Sequence, residues 1–218
     1  MPLTYSSFNG RIIVPLPTSV QPSQIELAMH DSVAVTQSPW TMQSQTQLYP
    51  GADFWTLNVS LPPMTQAQGQ VWQGWFGSMR GKLGTFQLGD PAHHLPLGSP
   101  SGSPVLVVDQ LVGTTTINTS GWTPSTSNLL AVGDQIQIGY RLHMVCGSSA
   151  GGQVNSDSSG NAQIEIWPSL RDAYTSAPEA IITSGTTGLW MLDSNERGWM
   201  VSAQDLLVTI SFKAVEAR

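Results

Sequence analysis

Charged side chains are scarce in this sequence. They make up 10% of its 218 residues, against about a quarter in an average soluble protein. Ser, Thr, Gln, Asn and Gly supply the polar surface instead, which favours an all-β protein whose surface contacts its neighbours. The eight Lys and Arg residues are scattered and the formal net charge is −6. Because there is no basic stripe, binding to a nucleic-acid backbone is not expected.

Cysteine is almost absent too. Cys146 is the single cysteine, so an internal disulfide is excluded. Its predicted strand places it on one face with Leu142 and Met144, where a free cysteine is usually a small core residue; we predict that it is buried. The amino terminus has no basic segment followed by an apolar one, and no apolar run approaches bilayer length. We therefore expect a chain that is made in the cytoplasm and stays outside the membrane.

Enzyme motifs are also missing. There is no nucleophile elbow, P-loop, zinc-protease motif or dinucleotide fingerprint. His30 and Asp31 lie at a predicted strand bend without a nucleophile at a recognisable spacing, and the adjacent His93 and His94 cannot easily share one metal ion. The sequence predicts no catalytic residue, no metal site and no cofactor. A hydrolytic site near His30 and Asp31 is the weakest of the alternatives.

The sequence does contain alternating polar and apolar residues, the period of half-buried strands. The clearest stretches are residues 55–61, 135–138, 142–146, 162–166 and 206–212. Gly139 and Tyr140 separate two of these stretches and fit a two-residue hairpin turn. Residues 36–47, which are rich in Gln, Ser and Thr and contain Pro39, are predicted to be a loop.

One helix is predicted, over about residues 65–80. Thr65 and Gln68 have the spacing of a capping box, and an apolar stripe follows at helical spacing. Such a stripe is typically a core face, so packing against a sheet must compensate for the poor helix propensity of three glycines. The candidate core or assembly residues are Trp55, Trp72, Trp75, Phe76, Met79 and Phe212.

The domain organisation is predicted from the long irregular section after Asp90 and from the regular last strand. Residues 1–90 and 177–218 are expected to form a β-sandwich with the flanking helix. Residues 91–176 are expected to form an inserted small β-barrel or sandwich. Two consecutive domains are the alternative layout.

Four tryptophans lie in or beside predicted loops. They are candidates for an interface or for stacking on a sugar: Trp40, Trp122, Trp167 and Trp199. For Trp40, and for Met42 in the same predicted loop, two interpretations are open. These side chains either anchor the loop to the core or cover a neighbouring subunit.

Four phrases of the sequence have counterparts in one known group of proteins. They are LLAVGDQIQIGYRLHMV, GNAQIEIWPSLRDA, FQLGDP after the predicted helix, and the closing VTISFKAVEAR. With them, the chain resembles tail proteins of long-tailed (siphovirus-type) bacteriophages over most of residues 54–218. The best match is the distal tail protein family, which is related to tail tube proteins.

This resemblance implies a mainly β fold, with a tail-tube-like β-sandwich, one flanking helix and a second β domain. It implies a virion structural protein, assembled in the host cytoplasm, that forms a hexameric ring joining the tail tube to the tail-tip hub of the baseplate. The implied partners are other copies of the chain, the tail tube protein and the hub proteins, with DNA passing without specific binding. The resemblance supplies no catalytic residue. The inserted second domain departs from many relatives, in which it follows the first. The alternative function is a receptor- or glycan-binding β module of a phage tail.

Overall fold

A computed structural model describes residues 7–8, 10–49, 51–148 and 151–217. These residues form 17 strands, one α-helix and two 3-10 helices. The strands are β1 (Ser7–Phe8), β2 (Arg11–Ile12), β3 (Gln24–His30), β4 (Val33–Gln37), β5 (Ser44–Leu48), β6 (Phe54–Ser60), β7 (Thr85–Leu88), β8 (Gly102–Leu106), β9 (Thr116–Trp122), β10 (Gln135–Ile138), β11 (Arg141–Gly147), β12 (Ala162–Trp167), β13 (Glu179–Ile182), β14 (Gly188–Leu192), β15 (Met200–Val201), β16 (Val208–Thr209) and β17 (Ser211–Glu216). Helix α1 spans Gln66–Met79, and the 3-10 helices span Gly81–Leu83 and Pro91–His93.

The described residues divide into two compact units. The first contains the residues up to 28, residues 55–90 and the residues from 188 onward; the second contains residues 29–54 and 91–187. The predicted fold class, mainly β with one helix and a second small β unit, is confirmed. The predicted boundaries of the insertion, 91–176, are too narrow. Strand β13 belongs to the second unit, and so do residues 29–54, which the prediction placed in the first.

The first unit is built on a five-stranded sheet with the strand order β3-β6-β17-β14-β7. Its long central pairing joins the antiparallel β6 and β17 from Ser60 opposite Ser211 to Thr56 opposite Val215. Strand β6 alternates as the sequence predicts, with Trp55, Leu57 and Val59 buried. The last strand therefore pairs with a strand from the first third of the chain.

Helix α1 lies against this sheet through its aromatic stripe. Thr65 is its N-cap, and the Thr65 backbone N–H donates to Gln68 Oε1 at 3.0 Å, as the predicted capping box requires. The stripe is buried, and its rings pack in tilted and edge-to-face arrangements with centroids 5.2–6.2 Å apart, as aromatic pairs prefer. The buried members of this core include every residue predicted for it: Trp55, Trp72, Trp75, Phe76, Met79 and Phe212.

One helix glycine is required by this packing. A Cβ on Gly69 would lie 2.8 Å from Val208 Cγ2, inside contact distance, whereas a Cβ on Gly74 would meet nothing within 4 Å. Gly69 therefore lets α1 approach β16 closely. Gly74 has no such packing role.

The second unit contains a closed six-stranded barrel with the order β10-β11-β12-β9-β8-β13. The predicted turn at Gly139 and Tyr140 joins β10 to β11, and β13 closes the barrel by pairing with both β8 and β10. The barrel is filled by apolar side chains from its own strands and loops, as small barrels are. They include Leu106, Ile117, Trp122, Ile136, Ile138, Val145, Ile164 and Ile166.

Strand β11 shows a prediction that was wrong. Ile136 stands opposite His143, and directly opposed side chains share a face. The inward face of β11 is therefore the one with Arg141, His143 and Val145. Cys146 is exposed, because a bulge between Val145 and Gly147 leaves it outside the regular pairing.

The helices of the described chain are too short or too polar to cross a membrane.

Candidate functional site

The most exposed regular structure of the second unit is a ribbon formed by β4, β5 and their connecting tip, residues 38–43. The two strands pair antiparallel from Val33 opposite Leu48 to Gln37 opposite Ser44. Every residue in both strands is exposed, and within the described chain the two form a sheet of their own. The prediction of a loop over residues 36–47 was therefore wrong. Two-stranded ribbons are marginally stable without packing, so this one is suited to being covered.

The tip of the ribbon displays two large apolar side chains. The Ser38 N–H donates to Gln43 O at 2.9 Å, and the Met42 N–H donates to Ser38 O at 3.0 Å. This turn holds Met42 at a φ of 58°, a left-handed conformation that is uncommon outside glycine. Trp40 is 91% exposed and Met42 71% exposed. The interpretation that these side chains anchor the segment to the core is therefore wrong for both.

The faces of the ribbon differ in polarity. Val33, Val35 and Leu48 share one face because Val33 and Leu48 are directly opposed. The other face carries Ala34 and Gln47 as one opposed pair, with Thr and Gln beside it. Residues 32–52 contain no charged side chain at all. Charged side chains usually prevent exposed sheet edges from pairing with other chains. This ribbon has none, so its composition is suited to an interface.

The root of the ribbon includes the His30–Asp31 pair. Asp31 Oδ1 accepts a hydrogen bond from Trp167 Nε1 at 2.7 Å, and the His30 ring lies 4.4 Å from the ring of Phe54. Each member of the pair thus has a structural contact within the second unit. Trp167, a predicted interface or sugar-stacking residue, is half-buried and uses its indole N–H to hold this root.

Of the remaining candidate tryptophans, Trp122 is buried and Trp199 is not. Trp122 is 3% exposed, and its indole N–H donates to Thr119 Oγ1 at 2.8 Å. It belongs to the barrel core, so its predicted role in an interface or in sugar stacking was wrong. Trp199 is 48% exposed, next to the exposed Met200 and Val201 of β15. The β15–β16 hairpin thus gives the first unit an exposed apolar surface of its own.

A polar cavity of about 640 Å³ lies against the barrel strands β9 and β12. Its described lining includes the opposed Asn118 and Gln163, whose side chains are joined by a 2.9 Å hydrogen bond from Gln163 Nε2 to Asn118 Oδ1. Asp157 also lines it, and backbone N–H groups of Asn161 and Ser159 hold the pKa of this carboxyl below its usual range. None of the four candidate tryptophans is among the described lining residues. The cavity can therefore offer amide hydrogen bonds but not the predicted aromatic stacking.

The barrel also buries polar groups that the sequence did not single out. His143 Nδ1 lies 2.8 Å from Pro168 O, and burial lowers the His143 pKa to about 4. Because a carbonyl only accepts, Nδ1 carries the proton and Nε2 is the unprotonated nitrogen. Arg141 pairs with Asp172 at 3.2 Å, and burial raises the Tyr174 pKa to about 12. Periodicity gave no signal for these groups, because polar residues are expected on the outer face.

Across the described ranges no group of three or more His, Cys, Asp or Glu side chains is arranged to hold a metal ion. The described residues instead define a mainly β protein with an exposed, uncharged ribbon that carries apolar side chains at its tip and on one face. No protein-family model matches the chain, and no curated protein matches it.

Proposed function

We propose that the chain is a structural subunit of a phage tail, a distal tail protein that forms a ring between the tail tube and the tail-tip hub. In this proposal its partners are further copies of itself in a hexameric ring, the tail tube protein and the hub proteins. The protein assembles in the host cytoplasm and ends in the virion. It performs no catalysis and requires no cofactor.

The observation that supports this proposal most is the ribbon. A ring subunit must contact two neighbours through two different surfaces, because its contacts are heterologous. The chain has two separate exposed apolar hairpins, one ending in Trp40 and Met42 and the other beginning next to Trp199. Burying such surfaces is what drives obligate assembly.

The charge of the chain fits a channel for DNA. Eight basic residues against 14 acidic ones leave a net charge of −6. A surface without a basic stripe does not retain a phosphate backbone. In the proposed ring, DNA passes without being held.

Light scattering coupled to size-exclusion chromatography tests the ring. We expect the purified chain to form a hexamer, or to remain monomeric until the tail tube and hub proteins are added. The double variant Trp40→Ser/Met42→Ser should lose assembly and keep its far-UV circular dichroism spectrum. Leu95→Ser/Leu97→Ser is the matched control, since both leucines are exposed outside the ribbon. If the tip variant assembles as fully as this control, the ribbon is not the docking surface.

The polar cavity favours a second candidate, a glycan-binding module. Amide and carboxylate side chains such as those of Asn118, Asp157 and Gln163 can bond sugar hydroxyl groups. A stable monomer or trimer that is retained on a neutral-sugar column would favour this candidate over the ring. The variant Asn118→Ala should then no longer be retained on the same column.

A further inference from the structure

Residues 167–171, with the sequence WPSLR, form hydrogen bonds both to the ribbon root and to the barrel. The odd-numbered side chains bond the root: Trp167 Nε1 donates to Asp31 Oδ1 at 2.7 Å, and Arg171 Nη1 donates to Gly51 O at 2.8 Å. Ser169 Oγ accepts from the Gly51 N–H at 2.8 Å. Both backbone groups of Gly51 are therefore bonded by this segment.

The even-numbered residues of the same segment are bonded into the barrel. Pro168 O is held by His143 Nδ1 at 2.8 Å. The Leu170 N–H donates to Thr114 O at 2.9 Å, and Leu170 O accepts from the Gly113 N–H at 2.7 Å. The Leu170 side chain is fully buried. The segment thus holds the ribbon root through its odd-numbered side chains and the barrel through the backbone groups of Pro168 and Leu170.

The two segments that form the root, before β4 and after β5, are also hydrogen-bonded to each other. The Ser32 N–H donates to Asp53 Oδ1 at 3.1 Å, and Ser32 Oγ donates to Ala52 O at 2.9 Å. A hydrogen bond to Asp31 or to Gly51 consequently restrains both strands of the ribbon. Asp31 and Gly51 are the two places where the segment bonds the root.

We propose that residues 167–171 are a mount that fixes the direction of the β4–β5 ribbon relative to the barrel, so that the ribbon docks onto a neighbouring copy of this chain in one orientation. Trp167, Ser169 and Arg171 are positioning residues, since they do not belong to the exposed surface that docks. This inference rests on the proposed ring function. Its physical basis is preorganisation. A ribbon that already has the docking orientation loses less conformational entropy when it binds.

The native Cys146 allows the orientation of the ribbon relative to the barrel to be measured within one subunit. It is exposed on the barrel, and Thr41 at the ribbon tip is exposed as well. Nitroxide labels on Cys146 and on Thr41→Cys, measured by double electron–electron resonance, report the tip-to-barrel distance. Diluting the labelled chain with an excess of unlabelled chain keeps the measurement within one subunit.

The test variant is Trp167→Phe/Ser169→Ala, which removes one donor and one acceptor but keeps the aromatic ring. We expect its distance distribution to widen at least twofold. Its assembly midpoint should move to about tenfold higher concentration, because the ribbon is then less often in the docking orientation before it binds. Leu95→Ser/Leu97→Ser is the matched control, because it changes two exposed residues outside both the ribbon and the mount. It should leave the distribution narrow.

The outcomes separate this inference from the function on which it rests. If the double variant keeps a narrow distribution, or widens while assembling at the wild-type concentration, the mount is overturned and the ring proposal stands. If the tip variant Trp40→Ser/Met42→Ser assembles normally, the docking role of the ribbon fails instead. Should the double variant lose its folded circular dichroism spectrum, the single variant Trp167→Phe decides by the same two measurements.

Discussion

Replacing His143 by asparagine should change how the stability of the second unit depends on pH. In the native protein the neutral imidazole donates from Nδ1 to Pro168 O. Asparagine can supply a similar N–H donor and has no proton to gain. Since burial of the ring is the main cause of the lowered pKa, the variant removes the titration while keeping the bond.

The magnitude follows from the two pKa values. Unfolding returns the His143 pKa from about 4 to 6.5, and a tenfold difference in proton affinity is worth about 1.4 kcal/mol. The difference between the folded and unfolded pKa of His143 therefore changes the free energy of unfolding by about 3 kcal/mol at most. A base with a lowered folded pKa makes its full contribution above pH 6.5 and loses it as the pH falls towards 4.

Guanidinium unfolding followed by far-UV circular dichroism from pH 7.5 to 4.5 measures the effect. Groups shared by both proteins cancel in the difference between native chain and variant. We expect the advantage of the native chain over His143→Asn to shrink by roughly 2–3 kcal/mol across this range. Leu95→Ser, a change at an exposed position that removes no titratable group, should leave the native pH dependence intact. Parallel curves for the native chain and His143→Asn would refute the assignment of a buried, neutral His143.

Three further outcomes are expected. Gly74→Ala should stabilise the first unit by about 0.5–1 kcal/mol. Gly69→Ala should destabilise it, because the new Cβ would lie 2.8 Å from Val208 Cγ2. The midpoint of thermal unfolding should therefore rise for the first variant and fall for the second. Trp72→Ala should cost about 3–5 kcal/mol and yield little soluble protein, and equal solubility with the native chain would contradict its core role. Cys146 should react with maleimide in the folded protein but more slowly than free cysteine at pH 7.5, since partial burial and then Glu165 raise its pKa.

Helix α1 was predictable because its signal is local. The capping box is formed at Thr65 and Gln68, and the spacing of the aromatic residues defines one face of a helix. A helical stripe of large rings is most often a core face. Gly69 looked like a defect from the sequence alone, because its value comes from Val208, nearly 140 positions later.

The inward face of β11 was not predictable in the same way. Alternation correctly separates Leu142 from Arg141 and His143, but it does not say which set lies inside. The apolar set was assigned to the barrel interior. The polar set lies there instead, because Arg141 pairs with the partly exposed Asp172 and His143 Nδ1 donates to Pro168 O, while Leu142 is buried on the opposite face of the strand. Those partners are distant in sequence.

Strand β5 and the tip of the ribbon escaped prediction for a different reason. Alternation of polar and apolar residues is expected where one face of a strand is buried, and every residue of β5 is exposed. The run of Gln, Ser and Thr around Pro39 then has the composition of a loop. Its place in the fold is set by bonds to residues 167–171, more than 100 positions away.

The lack of charge in residues 32–52 has a consequence for the conditions under which the ribbon binds. Interactions between charges weaken as salt is added, but a surface of Val, Leu, Trp, Met and backbone amides has no such term to lose. Burial of apolar groups also weakens on cooling. A contact made by the ribbon should therefore be indifferent to ionic strength and loosen in the cold. In the proposed ring, this would let a particle pass between dilute and salty water without its subunits separating.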